Sequence, residues 1–240
     1  MTATDSVSRF MRLSARVLPW LAVSTAATLG AAMLWGLMLM PADHRLGETI
    51  RIMVVHVPAA TLTVNVWLLM AVASALGLWR GWPLAHGAAR AAAPVGAALA
   101  LIALLTGAIW GRPTWGVWWV WDPRLTAIVV MLFFYLGYLA LTEAIDDPDT
   151  SASLTAILCL VGVVFALLAR HAVSVFAGGT MHDSASLILR RGLSMDDALW
   201  RPVMLAMLGH HLLLATLTLT GMRTALLRRR AHALRLALAS

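Results

Sequence analysis

The chain has 240 residues, of which 61% are hydrophobic and only 12% charged, about half the charged share of a soluble domain. That excludes an ordinary soluble protein and a disordered one, and a single cysteine excludes a disulfide scaffold, a Cys-based metal site and a Cys-x-x-Cys-His haem attachment sequence. The net charge of +7 is carried by arginine; in so apolar a chain it reads as orientation charge at a membrane surface, not as a nucleic-acid footprint.

Stretches free of Asp, Glu and Arg predict six spans in chain order: 17–40, 52–79, 91–111, 125–142, 151–169 and 202–222. Each is about 18 residues or longer, enough for a helix to cross roughly 30 Å of hydrocarbon. The expected fold class is therefore all-α: an integral membrane protein, a bundle of six transmembrane helices forming one domain over 1–240. Ten-residue alternating segments, the mark of a membrane β-barrel, are absent from the pattern. The first span exceeds the 7–15 residues typical of a signal-peptide core, so it is expected to be retained.

An even number of spans puts both termini on one face with the connections 80–90 and 143–150. The connections 41–51, 112–124 and 170–201 share the other. Arg9, Arg12 and Arg16 precede the first span and Arg228, Arg229 and Arg230 follow the last, which places the termini in the cytoplasm by the positive-inside rule.

The chemically suggestive residues gather on the outer side. His44, in the first outer connection, reads as a solvated residue. His56, in Arg51-Ile-Met-Val-Val-His56-Val-Pro58, sits about one turn inside the second span, where a polar group needs a partner. Helix packing against a backbone group and ligation of a metal or haem iron are both open to it.

After the third span comes Trp110-Gly-Arg-Pro-Thr-Trp-Gly-Val-Trp-Trp-Val-Trp-Asp122. One or two indoles would make an aromatic belt. Five within twelve positions, broken by Gly111, Pro113 and Gly116, point to a platform for a large flat apolar ligand. Haem has that shape, and Arg112 and Arg124 offer forks for its propionates. Asp122 and Pro123 also fit as N-cap and first residue of the fourth helix. Spacing leaves the segment's own conformation open: Trp115, Trp118 and Trp119 share a face if helical, Trp115, Trp119 and Trp121 if extended.

The last outer connection opens with His171 and holds His182 after Gly178-Gly179. His210 and His211 lie within the sixth span about 100° apart, so they cannot face one ligand equally. His86 and His232 fall among the cytoplasmic arginines. No Ser/His/Asp order or paired carboxylate stands out at the outer face, so a binding platform is expected in place of an enzyme.

The Trp110–Thr126 string resembles the WWD signature of haem-handling membrane proteins. Together with six spans and His56-Val-Pro-Ala-Ala60 it resembles the CcmC family of bacterial cytochrome c maturation over nearly the whole chain. The resemblance implies a periplasm-facing site in the inner membrane that binds haem b transiently. Its implied axial ligands are His56 and His182, with His171 as the alternative second ligand, and its platform comprises Trp115, Trp118, Trp119, Trp121, Asp122 and Arg124. The stretch from His171 to Asp183 lacks the tryptophan pair of the family pattern. The implied partners are the periplasmic haem chaperone CcmE, the ABC module CcmA with CcmB, and the small membrane protein CcmD. Two other readings stay open: an intramembrane haem electron-transfer bundle using His210 or His211 with His56, and a transporter permease subunit without haem.

Overall fold

The computed structural model describes residues 3–43, 46–175 and 197–239. These form six long helices: α1 (Ala3–Leu34), α2 (Met53–Arg80), α3 (Pro83–Trp115), α4 (Pro123–Ala144), α5 (Pro148–Val175) and α6 (Asp197–Ala239). A π-helical turn, Trp35–Leu39, ends α1, and a 3₁₀ turn, Glu48–Ile52, leads into α2. All six helices are long and apolar enough to cross a membrane.

The number of spans matches the apolar runs, and α2 (Met53–Arg80) meets its run within one residue, but several helices are longer. Arginines end a charge-free run without interrupting the backbone hydrogen-bond ladder. Hence α3 begins at Pro83 and carries Arg90, α5 continues through Arg170 and His171 to Val175, and α6 carries Arg201 and Arg223. Residues 170–175 and 197–201, assigned to a connection by charge alone, are helical.

Helix boundaries follow local chemistry. Gly81 ends α2 at φ 62° and Gly116 ends α3 at φ 80°, left-handed positions that a Cβ would strain. The pairs Asp122-Pro123 and Asp147-Pro148 start α4 and α5: Asp122 Oδ1 accepts from Leu125 N at 2.7 Å, and Asp147 Oδ2 accepts from Thr150 N at 2.8 Å. Each proline stands where the helix has no use for its missing N–H.

The main core lies where α2 meets α3, α4 and α5. Trp67 of α2 is wholly buried; its Nε1 donates to the Cys159 carbonyl of α5 at 3.0 Å and its ring meets Tyr135 edge-on at 4.7 Å. Tyr135 in turn donates to the Thr63 carbonyl at 2.8 Å. Gly162 and Gly96 make room for the two rings, since a Cβ at either would strike the indole or the phenol. Small residues that let backbones approach are how membrane helices gain packing energy without a hydrophobic driving force between them. On the far side α6 joins α1 through Thr25 and Thr216, 2.8 Å apart, and through Arg223, which donates to the Met11 carbonyl and Ser14 Oγ, each at 2.7 Å.

Candidate functional site at the tryptophan-bearing end

His56 lies in the first turn of α2, half-buried, against α3. Its Nδ1 is 3.0 Å from Thr106 Oγ1, and the Thr106 hydroxyl is 2.6 Å from the Ile102 carbonyl. A hydroxyl has one proton and a carbonyl can only accept. Thr106 therefore spends its proton on Ile102 and accepts from His56, which fixes Nδ1 as the protonated nitrogen and Nε2 as the one with the lone pair. A metal-ligating histidine is held in this way, its other N–H donated to an acceptor that sets tautomer and ring orientation. Gly107 completes the seat: a Cβ there would stand 3.0 Å from His56 Cε1.

Arg51 braces the approach to this turn. Its Nε pairs with Glu48 at 2.8 Å and donates to the Met40 carbonyl at 3.1 Å, and its Nη1 donates to the Leu37 carbonyl at 3.0 Å. One side chain thus ties the end of the first helix to the start of the second.

One turn beyond the His56 contact, α3 carries Trp110, whose ring meets Trp115 edge-on at 5.4 Å. The helix stops at Trp115, Gly116 turns the chain, and residues 116–122 run without regular structure into α4. The segment is therefore neither wholly helical nor a strand. Arg112 donates from Nη1 to the Gly116 carbonyl and so helps close the α3 end; its other N–H groups remain donors. Trp119 and Trp121 form a second edge-on pair at 5.4 Å. Trp118 and Trp121 are 60% and 77% exposed, large faces left outside the protein's own packing. Asp122 is buried and caps α4; Arg124, half-buried in the next turn, has no hydrogen-bond partner among the described residues.

Trp121 and Asp122 line a groove of about 340 Å³ with Thr126, Val130, and Phe165 and Leu168 of α5. His171 lies one turn past Leu168, exposed on the helix surface. His182 and His44 lie outside the described residues. Two indole nitrogens, Trp110 Nε1 and Trp119 Nε1, are enclosed without an acceptor among the described residues. Each such donor costs on the order of 1–3 kcal/mol, so an acceptor brought by a ligand would be rewarded here. The structure thus sets His56 of α2 against α3 one turn before Trp110, which pairs with Trp115, and places Trp121 and Asp122 beside α5. Thr106 and Gly107 were not legible as site residues: their role depends on a contact across fifty positions in sequence.

His210 and His211 stand apart. Their Nδ1 atoms bond the Ala206 and Met207 carbonyls at 2.8 and 2.7 Å. His211 faces a groove lined by Asn65 of α2, nine residues past His56. Nine residues are about half a revolution on a helix, so His211 and His56 lie against opposite faces of α2. They cannot share one iron, which removes the His211 form of the electron-transfer reading.

The family model described as "CcmC: Heme exporter protein C" matches residues 1–237. Relatives named Heme exporter protein C include those of Paracoccus denitrificans, 48% identical over 94% of this chain and 93% of its own length, and Rhodobacter capsulatus, 46% identical over the same shares. That of Escherichia coli K12 is 39% identical over 91% of this chain and 87% of its own length. With both the matched length and these identities in hand, the chain belongs to the CcmC family of membrane proteins.

Proposed function

We propose that this protein binds haem at the periplasmic face of the inner membrane and presents it to a haem chaperone for cytochrome c maturation. The observation that carries the reading is the His56–Thr106–Ile102 relay, which holds the imidazole in the tautomer iron requires, at the end of the helix that leads into the tryptophan segment. In this reading His56 is one axial ligand and His182 the other, with His171 the alternative. Trp115, Trp118, Trp119 and Trp121 supply the flat apolar contact, Arg124 meets a propionate, and Asp122 holds the segment to α4. The ligand is haem b, bound and released. The protein is a delivery platform and not an enzyme, since porphyrin and acceptor supply the covalent chemistry. Its partners are CcmE as acceptor, CcmA with CcmB as the ABC module, and CcmD; both termini are cytoplasmic.

Purified protein is expected to show a Soret band that falls strongly in His56→Ala and His182→Ala while helicity by circular dichroism persists. Haem content unchanged in both variants would contradict the assignment. A further loss in His171→Ala, with His182→Ala silent, would move the second ligand to His171.

A further inference from the structure

The geometry points to a second haem-docking site, on the lateral surface of the bundle, where His211 ligates iron and Arg170 with Asn65 receives a propionate. This site rests on the reading that the protein handles haem, and it is separate from the outer one. A groove of about 320 Å³ opens there, lined by Leu62, Asn65, Leu68, Leu69, Val72 and His211. Leu69 and Val72 are 59% and 60% exposed, so the groove faces the bilayer and not the bundle interior.

Polar side chains in a membrane span ordinarily turn inward or face water. Three here do not. His211 is exposed, and because its Nδ1 donates to the Met207 carbonyl at 2.7 Å, its Nε2 carries the lone pair. Asn65 is half-buried at the groove wall. Arg170, exposed on α5, donates from Nη1 to Asn65 Oδ1 at 3.2 Å and has no carboxylate partner among the described residues.

The depth of this pair follows from the core. Trp67 bonds Cys159 and packs on Gly162, so Asn65 stands level with residues close to 162 on the antiparallel α5. Arg170 is then about 12 Å nearer the outer end at 1.5 Å per residue. Side chains tilt toward the start of their own helix, which sends the guanidinium inward along α5 and the amide outward along α2 until they meet. The cation is thus directed into the span, where a long arginine would otherwise extend to the interface.

An imidazole lone pair, a guanidinium with no acid among the described residues and aliphatic walls open to lipid match one kind of amphiphile. It has an apolar planar body, a carboxylate edge and a metal centre. Haem dissolved in the membrane has all three, and an anionic lipid lacks the metal.

Haem is titrated into the full chain in phosphatidylcholine nanodiscs and followed by the Soret band, with helicity and size-exclusion profile as controls on folding. Wild type should bind in two steps. His56→Ala should keep only the lateral step, His211→Ala in that background should abolish it, and Arg170→Gln should weaken it about tenfold, with partial recovery in Arg170→Lys. Residual binding in His56→Ala that ignores both His211 and Arg170, depends on Arg170 alone, or does not exist overturns the lateral site. If His56→Ala leaves two intact steps, the outer assignment fails while the lateral site stands.

Discussion

At the residue scale, the relay behind His56 decides what that side chain can do. Thr106→Val keeps the shape of the seat but removes the acceptor, so the imidazole loses its fixed tautomer and orientation. Loss of such outer partners typically lowers metal affinity about 10–100-fold. Haem affinity by Soret titration is expected to fall by that order in Thr106→Val and to recover in Thr106→Ser, which restores the hydroxyl. An equal loss in both would show that the residue acts by packing. His56 itself was legible in the sequence, because an imidazole one turn inside an apolar run demands an explanation. Thr106 was not: a threonine in a membrane helix ordinarily bonds its own backbone, as Thr25 and Thr63 also do, and nothing local marks the one that accepts from a distant ring.

At the element scale, apolar runs located all six helices but not their ends. The bilayer limits the apolar length, whereas capping chemistry sets the helical length, and the two differ by about two to six turns in α3, α5 and α6. The Asp122-Pro123 pair did mark the start of α4. The tryptophan segment resisted both periodicities because Gly116 divides it, leaving Trp115 on a helix, Trp118 on a bend, and Trp119 and Trp121 in chain without regular structure. Asp122→Ala is expected to fray the first turn of α4, at a cost of about 0.5–2 kcal/mol for a lost N-cap, seen as faster amide exchange at Leu125. Unchanged protection there would mean the cap bond is not what holds this turn. At the opposite end, Asp147 caps α5, and hydrogen bonds from the Thr150 hydroxyl and N–H hold its carboxyl below the usual range. Its folded pKa being depressed, the contribution is present above the unfolded value and disappears as pH falls through the folded one, below roughly pH 4. Amide protection at Thr150, corrected for intrinsic exchange, should decline in that window and be pH-independent in Asp147→Ala.

At the scale of the whole molecule, six spans place Trp118 and Trp121 at one end of the bundle and the arginine-rich end of α6 at the other. Cys159 is wholly buried and should stay silent toward membrane-impermeant thiol reagents, so the native chain gives a clean background. In intact cells, Trp121→Cys should label from the periplasm and Leu238→Cys only after the membrane is opened; the reverse pattern would invert the topology and move the site to the cytoplasm. Close packing fixes this arrangement. Gly96→Leu would drive a side chain into Tyr135 and is expected to destabilise the α2–α3–α4 core by about 1–3 kcal/mol or more, read as a lower melting temperature in detergent.

The account rests on direct ligation of iron by His56. The most direct measurement is haem binding to His56→Gly with and without free imidazole, which can enter the vacated seat. The expected result is a weak, shifted Soret band that imidazole restores toward the native spectrum. A native Soret band in His56→Gly without imidazole would contradict the claim.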